Sequence, residues 1–323
     1  MNVLSLFNGM NTGRQALENV GIKVNKYYSS EIKPYAIELT QYHFPDTIQL
    51  GDVTKWKDWN IDWSNIDLVL SGSPCQDLSA AGKRAGINGK KSSLFFTFVD
   101  ILNHIKELNP KVLFLQENVG SASKLDVGIM SRELGVYPVR INSSLVTAQL
   151  RDRYYWSNIR TKEDGMFGDL ITDIPQPKDR GIMFKDIITG GKVERDKALA
   201  LLESESRVCT SQESIKKRAK RQFINIVYQV NPSKESNNQQ PFMQNRIYDV
   251  KGKSISLTEC MAHKIKYQTE DKIVRTVNKI EMCRLQGFPD NYCDILSTKK
   301  AGSLLGDGWT LPIIEHIFSF IKN

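Results

Sequence analysis

Cys75 follows Gly72-Ser73-Pro74 directly after the apolar run Ile66-Asp67-Leu68-Val69-Leu70-Ser71, where a buried strand would give way to a loop. A thiolate at such a place can add to an electrophilic carbon; a free cysteine can equally be a small buried hydrophobe. Pro74 restricts the approach of the chain, and Gly82, Gly86 and Gly89 leave the next segment able to close over a substrate. Glu117, in Gln116-Glu117-Asn118-Val119 after the apolar residues 112–115, would project into the same crevice as Cys75, or else cap a helix or stand on the surface. Arg151 and Arg153, in Gln149-Leu150-Arg151-Asp152-Arg153, are two residues apart, so an extended segment would carry both guanidinium groups on one face. Their charge would favour a thiolate and a developing anion; on a basic protein such a pair can also be merely solvated.

A second constellation points to a nucleotide-like ligand. Phe7-Asn8-Gly9-Met10-Asn11-Thr12-Gly13 reads as a turn from a first strand into a helix. Its glycines would let backbone N–H groups approach a ligand, although a tight turn needs glycine in any case. Glu31, near the end of a second strand, and Asp52, after a third, add acidic groups at the carboxyl ends of successive parallel strands. There one can accept from ribose hydroxyls and another from an adenine amino group.

The elements that must hold these residues alternate. Apolar runs at 2–7, 26–30, 67–71 and 111–116 are interleaved with helical patterns at 13–20, 35–43 and 92–108, which predicts a parallel sheet flanked by helices. The stripe Leu94, Phe95, Phe98, Ile101, Leu102, Ile105 and Leu108 is a core face. Residues 136–146 and 154–159 are expected to form two further strands joined by a turn at 148–152. From about 161 to 272 the character changes, with Pro175-Gln176-Pro177, Gly190-Gly191, the basic run 216–221 and the polar stretch 233–240. An inserted domain of irregular strands and long loops is expected there. Helical patterns return at 279–285 and 312–321, so the α/β domain is expected to comprise 1–160 and 273–323.

The chain has 323 residues, 40% hydrophobic and 25% charged, which supports a well-buried core with room for a smaller second domain. Five cysteines form no CxxC pair and no zinc spacing with the four histidines, so no structural metal is expected and a reducing compartment is. Neither a leader nor a membrane-spanning run is recognised. A net charge of +8 and a pI near 9.1 favour a polyanionic partner.

Taken in order, Phe7-Asn8-Gly9 with Gly13, Glu31, Gly51-Asp52-Val53, Gly72-Ser73-Pro74-Cys75-Gln76, Glu117-Asn118-Val119, Gln149-x-Arg151-x-Arg153, Arg275 with Glu281 and Arg284-Leu285-Gln286-Gly287-Phe288-Pro289, and Gly306 to Pro312 resemble the motifs of the cytosine-5 DNA methyltransferases. The resemblance spans nearly the whole chain except 161–272, where this family carries its variable target-recognition domain. Asp77-Leu78-Ser79 and Trp309 look closest to the animal de novo branch, while the compact length is more like enzymes of bacteria and their viruses. Asn11 stands at the second glycine of the usual Phe-x-Gly-x-Gly, Asp307 at a common asparagine, and Val277-Asn278 at the usual Leu-Thr.

The resemblance implies a doubly wound, Rossmann-like α/β fold, S-adenosylmethionine as methyl donor and double-stranded DNA as partner. Cys75 would add to cytosine carbon 6, Glu117 would bind the ring nitrogen and exocyclic amine, and Arg153, with Arg151, the carbonyl side. The cofactor would lie near Phe7, Asn8, Gly9, Gly13, Glu31, Ile32, Asp52, Val53, Pro74, Leu94 and Trp309. The target base must leave the stack, at a cost of roughly a few kcal/mol. Gln76, Ser79, Ala81, Lys83, Arg84, Lys90 and Lys91 would meet the duplex, and Lys216, Lys217, Arg218, Lys220 and Arg221 its phosphates. A bacterial or phage-infected cytoplasm, near the nucleoid, follows from the same likeness, with restriction-modification, self-protection or regulation as settings. A transfer-RNA enzyme is the nearest alternative and a catalytically inactive DNA-binding regulator the next. A nicotinamide dehydrogenase would leave the Pro-Cys, Glu-Asn-Val and Gln-x-Arg-x-Arg groups unexplained.

Overall fold

The computed structural model describes residues 1–74, 94–166, 168–189 and 276–322 in full, and the backbone alone at 247–249, 254–255, 266–268 and 274–275. Cys75, the 76–91 segment and the 216–221 run lie outside the described residues. The chain divides into two compact units, one of Met1–Ile141, Asp152–Gln176 and Ile313–Asn323, the other of Asn142–Arg151 and Pro177–Pro312.

In the first unit, β1 (Asn2–Leu6) lies between β2 (Lys26–Ser30) and β4 (Leu68–Ser71) and is parallel to both. β4 pairs in parallel with β5 (Leu113–Val119), and β2 with the two-residue β3 (Ile48–Gln49). β8 (Asp152–Ser157) closes on β5 antiparallel, and β6 (Val139–Asn142) follows it, giving the order β3-β2-β1-β4-β5-β8-β6. Strands covered on both faces read as continuous apolar runs, and all four residues of β4 are buried. One face carries Leu4, Leu6, Tyr28, Val69 and Phe114, which pack into one core with Phe95, Phe98, Ile101, Leu102 and Ile105 of α3 (Leu94–Leu108). That core contains most of the expected stripe.

Strand order reverses between β1 and β4, since β2 and β3 lie to one side of β1 and β4 and β5 to the other. In open α/β sheets such a switch point opens a crevice beyond the carboxyl ends of the strands, where ligands bind. Two of the segments singled out above leave the strands at this point: Phe7 to Asn11 after β1, and Gly72 to Pro74 after β4.

α1 (Thr12–Asn19) and α2 (Pro34–His43) follow the predicted pattern. α4 (Lys124–Leu134) was not expected; Ser123 caps it by accepting from the Asp126 N–H at 3.1 Å, and Gly135 ends it at φ 71°. The strand expected over 136–146 stops at Asn142, because the Asn142 side chain accepts from the Ser144 N–H at 3.0 Å and turns the chain into a 3-10 segment. Within the predicted turn lies a short strand, β7 (Gln149–Leu150).

In the second unit β7 pairs in parallel with β10 (Ser254–Ile255), and β9 (Ile247–Asp249), β11 (Lys266–Gln268) and β12 (Val274–Thr276) form a small sheet. α5 (Lys279–Gln286) starts at a reciprocal cap: Asn278 accepts from the Glu281 N–H, and Glu281 accepts from that of Asn278. It ends at Gly287, φ 78°, where a Cβ would stand 2.3 Å from Pro312 Cδ. α6 (Thr298–Asp307) follows, and α7 (Leu311–Phe318) begins here, with its residues from Ile313 on counted in the first unit. No helix among the described residues is long and apolar enough to cross a membrane.

Candidate active site

The turn after β1 is built from left-handed residues: Phe7 (φ 55°), Gly9 (φ 58°) and Asn11 (φ 65°). Glu31, just past β2, holds it. One carboxylate oxygen accepts from the Gly9 N–H at 2.8 Å, the other from the N–H groups of Ile32 (2.8 Å) and Lys33 (2.9 Å). Asn8 accepts from the Tyr27 hydroxyl at 3.2 Å and donates to Thr40 at 3.4 Å. Complete burial keeps that tyrosine protonated well above the ordinary phenol range. Gly13 answers to packing: a Cβ there would lie 2.4 Å from Leu70 Cδ1, so any larger residue would have to displace the Leu70 side chain between α1 and β4.

Asn11 is fully buried, and neither its amide nitrogen nor its oxygen has a hydrogen-bond partner among the described residues. Asparagine tolerates the left-handed region better than other side-chain-bearing residues, which explains how it replaces glycine here.

Asp52 is exposed and starts a 3-10 turn; its Oδ1 accepts from the Thr54 N–H and hydroxyl, both at 2.9 Å. The Thr54 N–H, then its hydroxyl, hold the carboxyl below the usual aspartate range. Val53 belongs to the main core cluster, with Phe7 and Leu94 packed on that cluster, while Ile32 is 70% exposed. The first unit therefore brings two carboxylates and a left-handed turn to the carboxyl ends of β1 to β3. Carboxylates at that place can accept hydrogen bonds from hydroxyl or amine groups of a ligand.

At the carboxyl end of β5, Glu117 is 8% exposed and its Oε1 lies 2.7 Å from Arg153 Nε. The register explains the pair. Val119 faces Arg153 across the antiparallel ladder, and residues two apart share a face, so Arg153 stands diagonally across from Glu117. Arg153 Nη1 also donates to the Asp152 carbonyl at 2.8 Å. Asp152 accepts from the Gly120 N–H at 3.0 Å through its backbone and pairs with Arg140 through its side chain. Next to β5, Ser73 and Pro74 are the last described residues before Cys75; buried Ser73 accepts from Gln116 Nε2 at 2.9 Å.

The two arginines of the Gln-x-Arg-x-Arg group have different partners. Arg151, 3% exposed, belongs to the second unit, where Nη1 donates to the Gly306 carbonyl at 2.9 Å and Nη2 to those of Gly308 (2.9 Å) and Asp307 (3.4 Å). It binds the carboxyl end of α6, where the helix dipole favours a cation. Gln149 Nε2 donates to the Leu285 carbonyl and to Gln286 Oε1, both at 2.7 Å, and the latter oxygen also accepts from the Thr310 hydroxyl at 2.8 Å. Half-buried Trp309 sits between these anchored residues. Gln116, Gly120 and Asp152 escaped the sequence reading; the one signal for Gln116 was an amide inside an apolar run, immediately before the glutamate.

The profile of the family described as C-5 cytosine-specific DNA methylase matches residues 1–323. The type II methyltransferase M.HhaI of Haemophilus parahaemolyticus is 26% identical over 332 residues, covering 97% of this chain and 92% of that protein. The orphan methyltransferase M.Rho11sI of Bacillus phage rho11s is 32% identical over 172 residues, covering 50% of this chain and about a third (33%) of the phage protein's length. Among solved structures, that of a mutant form of Spodoptera frugiperda DNMT2 superposes with a TM-score of 0.58 at 18% identity, covering 99% of each chain.

Proposed function

Because the chain belongs to the C-5 cytosine-specific DNA methylase family, we propose that it transfers a methyl group from S-adenosylmethionine to carbon 5 of a cytosine extruded from double-stranded DNA. The observation that carries this reading is the buried Glu117–Arg153 pair at the carboxyl end of β5, next to β4, whose last residue Ser71 stands four positions before Cys75 in the sequence.

S-Adenosylmethionine supplies an electrophilic methyl group on a sulfonium. Glu31 suits its ribose, with lone pairs remaining beside the three backbone N–H groups it already accepts. Asp52, ionised and exposed, suits the adenine amine, and Phe7, Val53 and Leu94 an adenine face. Trp309 keeps its assignment by resemblance alone.

On the base, Cys75 forms a bond from its thiolate sulfur to carbon 6, which turns carbon 5 into a nucleophile. Glu117 bonds the ring nitrogen and exocyclic amine, and Arg153 the ring carbonyl, so charge developing on the ring meets groups already oriented. Once carbon 5 carries the methyl group, loss of its proton and breaking of the carbon–sulfur bond restore the aromatic ring and the thiolate. Arg151 keeps the end of α6 in place through its carbonyl contacts. Residues 161–272 are assigned the reading of the target sequence, and Lys83, Arg84, Lys90, Lys91 and the 216–221 run the phosphates.

Bisulfite sequencing of DNA from cells expressing the chain tests the reading. Methylated cytosines in one sequence context, absent with Cys75→Ala, are expected. Unmethylated DNA from soluble wild-type protein overturns it, as does a 5-fluorocytosine adduct mapping to a cysteine other than Cys75. Cys283 and Cys293 are fully buried and are not expected to compete.

A further inference from the structure

Gln116 is fully buried on β5, one residue before Glu117. Within the ladders it faces Ser71 of β4 and Trp156 of β8. A leucine there would fill the space without burying an amide, so the polar group needs a reason. Its nitrogen donates to Ser73 Oγ at 2.9 Å and to the Glu117 carbonyl at 2.8 Å. The second contact fixes the amide's orientation, because a carbonyl only accepts. Gln116 Oε1 and the Ser71 hydroxyl have no hydrogen-bond partner among the described residues, so this buried amide stands with its bonding incomplete.

β4 ends at Ser71, opposite Gln116. Beyond that end the ladder no longer joins the two strands, and the amide of Gln116 supplies the connection. It spans from the backbone of the residue that bears the carboxylate to a side chain two residues before the thiol.

On the reading given under Proposed function, we infer that Gln116 is a positioning residue for the covalent step, holding Ser73, two residues before Cys75 in the chain, in register with Glu117. Gln116 touches neither base nor cofactor in this role. Its loss acts on addition of the thiolate, a step that depends on sub-ångström placement of sulfur and ring, and leaves cofactor affinity unchanged.

A double-mutant cycle on adduct formation with a 5-fluorocytosine duplex tests this in the full-length protein. Gln116→Met and Ser73→Ala are each expected to slow the adduct by about tenfold or more. The double variant should be no slower than the slower single one, and calorimetric affinity for S-adenosylhomocysteine should stay within about twofold of wild type. Multiplying effects in the double variant overturn the inference, as do unchanged rates in folded single variants or cofactor affinity falling in step with the adduct rate. If Gln116→Met does not fold, Gln116→Asn, one carbon too short to span both contacts, takes its place in the cycle. A wild-type protein that forms no adduct fails the methyltransferase reading; a wild type that reacts while the variants multiply fails only the role of Gln116.

Discussion

Replacing Arg151 by methionine tests whether the guanidinium is what holds the end of α6. The change removes donors to Gly306 and Gly308 at 2.9 Å each and to Asp307 at 3.4 Å, and leaves a chain of similar length in the space. Hydrogen bonds involving a charged group contribute about 1.5–3 kcal/mol each. Two good ones give ~3–6 kcal/mol, offset in part because the variant no longer buries a charge. A net loss of about 3 kcal/mol corresponds to a fall in Tm of about 6–12 °C for a unit of this size. Arg151→Lys can reach one of the two near carbonyls and should recover about half of that. Calorimetry of the full-length chain measures the shift, and hydrogen exchange locates it. The Gly308 N–H, bonded to the Leu304 carbonyl at 2.7 Å, should exchange faster in the methionine variant while amides of β1 and β4 do not. A shift below about 2 °C with unchanged exchange at Gly308 refutes the anchoring role.

Asn11→Gly should raise Tm by a few degrees, since it removes a buried amide with no partner among the described residues, a group that costs roughly 1–3 kcal/mol, and suits φ 65°; a lower Tm counts against this. Gly120→Ala should lower both stability and turnover, because its Cβ would stand 2.8 Å from the Asp152 carbonyl oxygen and push on the strand that carries Arg153; wild-type turnover in the alanine variant contradicts it. Arg284 holds Asp290 in a two-point pair at 2.7 and 2.6 Å, and these bonds depress the Asp290 carboxyl below its ordinary value. The stabilisation is therefore present above about pH 4 and is lost as pH falls through the lowered native value. The Tm difference between wild type and Asp290→Asn should be largest near neutrality and shrink as the pH is taken well below about 4; a difference that stays constant as the pH falls assigns it to packing.

The parallel half of the sheet was legible because buried strands leave short, largely apolar runs, and β1, β2, β4 and β5 fall on the four runs named from sequence, β2 (Lys26–Ser30) being the least apolar of them. α4 escaped because its pattern is weakly amphipathic; its signals were local, Ser123 with Asp126 at the start and Gly135 at the end. The break after β6 depends on Asn142 capturing a backbone N–H in competition with the ladder, which an apolar count does not register. At the site, residue type and spacing put a carboxylate at 117 and a cation at 153 near Cys75, and the family resemblance supplied their roles on a base, but their pairing follows from an antiparallel register that residue types do not encode. Gln116 looked like the last residue of an apolar strand, and only its contacts give it a task.

The two-residue spacing of Arg151 and Arg153 is the instructive case. Alternation puts such residues on one face only while the backbone stays in a single strand. Here β7 ends at Leu150 and β8 begins at Asp152, so Arg151 is the hinge residue between two ladders, and its side chain is not bound by the alternation of either. That freedom separates two identical side chains into different tasks. Arg153, inside β8 and opposite Val119, must share a face with Glu117; Arg151 is drawn to the cluster of carbonyls at the end of α6. The two positions should therefore differ sharply in their tolerance for lysine: an ammonium can satisfy a backbone carbonyl as a point charge, whereas Arg153 bonds Glu117 through Nε and the Asp152 carbonyl through Nη1, a fork that lysine lacks.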